Sequence, residues 1–112
     1  MKNETVSGET GNARLASMIG LCRRAGRLGC GVDRVQDALK AGRASLVLLA
    51  SDPTDRSAKQ VTDKCRHAGV PLLALPMTGE AIGRACGIGR VTAAAVEDPG
   101  FARAIAALAG GL

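Results

Sequence analysis

Two short stretches of this chain combine glycines with arginine in a way that suits the binding of an anion. The first is Ile82-Gly83-Arg84-Ala85-Cys86-Gly87-Ile88-Gly89-Arg90-Val91, followed by the apolar run Thr92-Ala93-Ala94-Ala95-Val96. Thr78 can cap a short helix and Gly87 can end it, so that a tight loop with Ile88 at its tip and Arg90 at its side feeds into a buried strand. Gly87 and Gly89 keep that loop slim enough for its backbone to approach a partner closely. The second stretch, Gly29-Cys30-Gly31-Val32-Asp33-Arg34, opens a helix, and helix starts carry amide groups that no helical carbonyl accepts. These make an anion site on geometry alone, with Arg27 and Arg34 on its flanks. The same residues also fit a plain connection in which Asp33 only complements the helix dipole. A run of three charges, Arg23-Arg24-Ala25-Gly26-Arg27, stands one short strand away. The chemistry these residues suit is contact with a phosphate-bearing surface.

Other chemistries find little to work with. No serine sits in a nucleophile-elbow setting, and the single histidine, His67, has no evident acid or nucleophile beside it, so no catalytic residue is assigned. Cys22, Cys30, Cys65 and Cys86 form no C-x-x-C pair. Cys22 and Cys65 fall on apolar helix faces, where free cysteine packs as a small hydrophobe; the cysteines read as structural, with no metal and no cofactor. Gly87-x-Gly89 precedes a strand rather than following one, the wrong order for a dinucleotide fold.

The elements that must carry these loops fit in one domain of 112 residues. Residues 1–12 lack periodicity and any apolar leader and read as a disordered lead-in; residues 13–112 form the domain. No apolar run approaches the roughly 18 residues of a membrane span. No membrane partner follows, and the cytoplasm is the default compartment. Net charge is +5, with eleven arginines against four lysines. Arginine presents a planar fork of donors to phosphates and base edges. Charge by itself leaves a nucleic-acid partner and a merely basic surface equally open. Phe101 is the one aromatic, which speaks against folds that stack unpaired bases on aromatic platforms.

Leu15, Met18, Ile19 and Cys22 recur at helical spacing, with Asn12 placed to cap and Gly26 to end that helix. Leu28 to Cys30 is a strand candidate. A helix from Val32 to Ala41 stops at Gly42, and Ser45 to Ala50 is apolar throughout, as a strand covered on both faces is. A third helix ends near Ala68 at Gly69, Pro71 to Leu75 forms a strand, and Asp98-Pro99 opens a last helix to about Ala109. Regular alternation predicts a three-layer α/β/α sandwich around a mixed four-stranded sheet.

With these residues in hand the chain resembles the kink-turn RNA-binding ribosomal-protein superfamily, most of all its bacterial YlxQ-like branch. The resemblance spans about Leu15 to Ala104. It rests on Arg24-Ala25-Gly26-Arg27-Leu28, on Gly31 through Gly42 with Ala44 through Asp52, on Cys65 through Pro71, and on Gly83-Arg84-Ala85-Cys86-Gly87. It implies a non-enzymatic domain that binds a bent RNA internal loop, with a ribosomal or translational setting and ribosomal RNA among the candidate targets. In that family the second helix opens with Gly-x-Asn-Glu-x-x-Lys facing sheared G·A pairs, and the glycine-bearing loop packs apolar residues on an extruded base. The glycine falls on Gly31 and the loop on Gly87, Ile88, Gly89 and Arg90. The other signature positions fall on Asp33, Arg34 and Asp37, which differ from the family's residues. Ionised Asp33 only accepts hydrogen bonds, and Asp37 puts an anion where the family has a cation. Arg24, Arg27, Arg34 and Arg90 are the expected phosphate or base-edge contacts, and Ile88 the apolar one. The alternative is a protein-interaction module of the same fold whose basic face meets an acidic partner. Oligomeric state is not legible.

Overall fold

The computed structural model describes residues 2–110, with side chains given from residue 12. Helices and strands alternate along the chain as α1 (Lys2–Arg24), β1 (Leu28–Cys30), α2 (Val32–Lys40), β2 (Leu46–Leu49), α3 (Asp55–Ala68), β3 (Leu72–Ala74), α4 (Gly79–Cys86), β4 (Ala93–Val96) and α5 (Pro99–Leu108). The sheet order is β1-β4-β2-β3. β4 runs antiparallel to both β1 and β2, and β3 runs parallel to β2.

Every residue of the two central strands is buried, and the two-residue period of a strand deals their side chains to opposite faces. Leu46, Leu48, Ala94 and Val96 meet Leu15, Ile19, Ile82 and Ile105 from α1, α4 and α5. Val47, Leu49, Ala93 and Ala95 meet Val35, Ala38, Val61 and Cys65 from α2 and α3. The result is the expected α/β/α sandwich with a mixed sheet. Each buried leucine or isoleucine contributes about 1.5–3 kcal/mol relative to exposure. The alanines of β4 are small enough for helices in both layers to approach the sheet closely.

Helix boundaries follow local chemistry. Thr54, Thr78 and Asp98 cap α3, α4 and α5 by accepting from Ser57, Ala81 and Phe101 backbone N–H groups. Gly69 and Gly87 end α3 and α4 in the left-handed region. One boundary departs from expectation. α1 begins at Lys2, so Asn12 sits inside the helix instead of capping it; no proline interrupts the segment, and glycines at 8 and 11 weaken a helix without breaking it. The side chains of residues 1–11, which bear on the expected lead-in, lie outside the described residues, as do 111 and 112. No helix among the described residues is long and apolar enough to cross a membrane.

Candidate functional site

The start of α2 is an open donor surface. Gly31 has φ 106° and ψ 154°, a backbone region that side-chain-bearing residues avoid. It turns the chain out of β1 while its N–H donates to Ala93 O at 2.8 Å and its carbonyl accepts from Val35 N at 2.9 Å. No side chain caps this helix, in contrast to α3, α4 and α5. The amides of Val32, Asp33 and Arg34 in its first turn therefore have no helical acceptor and can donate outward. Asp33 and Asp37 are exposed, one helical turn apart and so on one side of α2. Neither forms an ion pair among the described residues.

The loop after α4 is built in the opposite way, by internal fastening. Gly87 N donates to Arg84 O at 3.2 Å and Ile88 N to Gly83 O at 2.9 Å, the paired bonds of a Schellman motif. The chain then folds back over the helix so closely that a Cβ on Gly83 would overlap the Gly89 carbonyl oxygen and stand 2.7 Å from its carbon. Arg90 closes the loop. Its guanidinium donates to Asp52 O at 2.7 Å and stands 3.5 Å from Asp52 Oδ2, while Asp52 Oδ1 accepts from Gly79 N at 2.8 Å. Asp52 thus fastens the first amide of α4 and the far end of the loop at once. What this scaffold offers outward is Ile88, 40% exposed, at the rim of a cavity of about 430 Å³ that Arg84 also lines. Ile88 is not a core residue.

The sheet brings the two segments near one another, because Gly31 at the α2 start donates to Ala93, the first residue of β4, three residues beyond Arg90. Cys30, the last residue of β1, and Cys86, the last residue of α4, are both partly buried against the same core. The neighbouring Cys86 thiol, aided by the positive charges of Arg23 and Arg34, draws the Cys30 thiol down to about 7. Cys30, with burial, pushes the Cys86 thiol up. Arg34 is exposed in the first turn of α2, and Arg23 is half-buried in the last turn of α1. Arg24 lies beside Ala85 in the seam between α1 and α4. Arg27 stands at the other end of β1, its carbonyl accepting from Glu97 N at 2.8 Å, and is not part of this group.

Of the residues expected from sequence, Gly31, Asp33, Arg34, Asp37, Gly87, Ile88 and Gly89 belong to the two segments, and Arg90 is engaged with Asp52. Arg84, which lines the cavity at the Ile88 rim, was not among the expected residues, because its membership depends on how the loop folds back. Among the described residues no group of three or more His, Cys, Asp and Glu side chains stands in metal-holding geometry. Cys22 is buried, its thiol donates to Arg27 O at 3.4 Å, and burial pushes it up to about 11.

Known proteins share both sequence and shape with this chain. The model of the ribosomal protein L7Ae/L30e/S12e/Gadd45 family matches residues 12–106. RNA-binding protein YlxQ of Bacillus subtilis (strain 168) is 36% identical over 91 residues, covering 81% of this chain and 90% of that protein. A protein of unknown function from Bacillus halodurans superposes with a TM-score of 0.81 at 34% identity, over 88% of this chain and 98% of its own. A 15.5 kD RNA-binding protein of Giardia lamblia superposes with a TM-score of 0.69 at 20% identity, over 90% of this chain and 86% of its own, a likeness of fold.

Proposed function

The chain belongs to the ribosomal protein L7Ae/L30e/S12e/Gadd45 family, and from that membership we propose that it binds structured RNA of kink-turn type, in a translational setting and without catalysis. The observation that carries this reading is the juxtaposition of an uncapped α2 start with an exposed apolar loop tip, joined through the bond from Gly31 N to Ala93 O at the start of β4. A phosphate accepts from the amides of Val32 to Arg34, with the guanidiniums of Arg23 and Arg34 supplying charge. Ile88 packs on the face of an unstacked base, which takes over its exposed apolar surface. Arg84 stands on the same rim. Arg24 lies next to the junction, whereas Arg27 contributes at most to a flanking strand. The similarity to an RNA-binding protein of Bacillus subtilis supports the partner class.

Asp33 and Asp37 set the selectivity. A carboxylate repels a phosphate and accepts from the amino groups of bases, so this part of α2 favours an RNA that turns amino edges toward it. A filter-binding titration with a kink-turn hairpin and a plain duplex tests the reading. Binding to the hairpin should fall by about tenfold or more between 50 and 200 mM salt, as expected when a few phosphates are neutralised. Absence of RNA retention at low salt would instead assign the face to an acidic protein partner.

A further inference from the structure

We propose that the cavity beside Ile88 is a guanine pocket, in which Glu80 and Arg84 read the edge of the unstacked base whose face Ile88 covers. The assignment rests on the RNA reading above and names the base that this part of the site selects. The cavity, of about 430 Å³, is lined by Ile88 and Gly89 and by five polar residues, Asp52, Thr78, Glu80, Arg84 and Arg90. Three of the five are engaged inside the fold. Asp52 and Arg90 hold each other, Asp52 also accepts from Gly79 N, and the Thr78 hydroxyl accepts from Ala81 N as the cap of α4. Glu80 and Arg84 remain, and both are exposed.

Their spacing makes their separation informative. A glutamate four residues ahead of a basic residue is the favourable order for an ion pair on a helix, and Lys59 and Asp63 on α3, also four apart, close to 2.8 Å. Among the described residues Glu80 and Arg84 enter no ion pair and no side-chain hydrogen bond. An acceptor-only carboxylate and a donor-only fork thus stand side by side on one side of α4, along the wall of a cavity with an apolar rim.

Guanine is the base that satisfies both groups. Its N1–H and N2 amino group present adjacent donors to a carboxylate, and its O6 and N7 present adjacent acceptors to a guanidinium. Cytosine offers adjacent acceptors to the arginine but a single amino group to the glutamate. Adenine sets one amino group between isolated acceptors, and uracil sets one N–H between two carbonyls, so neither can pair bidentately with either side chain. The Ile88 side chain, 40% exposed, covers a ring without distinguishing one base from another. Selection therefore falls on the two helix residues.

Filter binding of the full chain at one salt concentration compares four kink-turn hairpins that differ only in the extruded nucleotide. The guanine hairpin should bind at least about tenfold more tightly than the adenine and uracil hairpins, the scale of one bidentate base contact, with cytosine between them. Glu80→Gln keeps the shape and loses one acceptor oxygen, and Arg84→Met keeps the stem and loses the fork. Each should reduce the preference for guanine over adenine by at least about threefold, with Tm within about 3 °C of the parent. Four equal dissociation constants, or a guanine preference that both variants leave intact, would overturn the assignment while the RNA reading stood. Retention of none of the four hairpins at low salt would overturn both.

Discussion

The Gly31 turn and the Gly87–Arg90 loop share a sequence signature, glycines beside an arginine, and the chain uses it for opposite purposes. At the α2 start, glycine supplies a backbone shape that leaves the helix uncapped and its amides unclaimed. After α4, the decisive glycine is Gly83, which lies within the helix and lets the loop fold down onto it. Asp52 and Arg90 then hold the loop shut. One segment is open because no side chain caps its first amides; the other is rigid so that a single side chain, Ile88, can be held out. An arginine beside a glycine loop is therefore not by itself a phosphate contact, since Arg90 has an internal task that Arg34 lacks.

The largest effect should come from breaking the closed segment. Gly83→Ala places a methyl group into the Gly89 carbonyl and should destabilise by about 3 kcal/mol, lowering Tm by roughly 10 °C or more. Gly89→Ala is the control within the same loop. Gly89 has open space around its Cβ position and no positive φ, so its substitution should stay within about 0.5 kcal/mol. Equal losses in calorimetry for the two variants would mean that the loop does not rest on Gly83.

The open segment is sharpened by restoring the residues from which it departs. Asp33→Asn with Asp37→Lys should raise affinity for a kink-turn hairpin by about 2 kcal/mol, thirtyfold, by removing repulsion and adding a base-edge donor. Loss of the Asp33 charge from the first turn of α2 should lower Tm by only a few degrees. An unchanged dissociation constant would show that this side of α2 does not face RNA. Smaller still is Asp52→Ala, which removes the acceptor of Gly79 N–H and one half of the Arg90 clasp. Its expected loss is about 1–2 kcal/mol in denaturant titration, with faster hydrogen exchange confined to Gly79 and the residues from Gly87 to Val91.

The sequence made most of the fold legible because the signals that set its boundaries are local. Capping by Thr54, Thr78 and Asp98, termination at Gly69 and Gly87, and the unbroken apolar run of β2 each act within a few residues. The start of α1 was not legible, since no apolar residue recurs at helical spacing ahead of Leu15 to announce it. Both loops were visible as candidates, but their fastening was not. Arg90 and Asp52 are 38 residues apart in sequence, and nothing near Arg90 signals that its guanidinium is engaged. The bond from Gly31 N to Ala93 O, which brings the two segments together, depends on β4 lying beside β1 in the sheet, an order that alternation of helix and strand leaves undetermined.

Whether Ile88 is held out for a ligand is tested most directly by Ile88→Asp, with RNA affinity and melting temperature measured on the same preparation. An exposed tip on a fastened loop predicts a loss of affinity of about tenfold or more, from lost apolar contact and new repulsion, with Tm within about 3 °C of the parent. Unchanged affinity at unchanged Tm, or a sharp fall in Tm with binding reduced only in proportion to unfolded protein, would contradict the account.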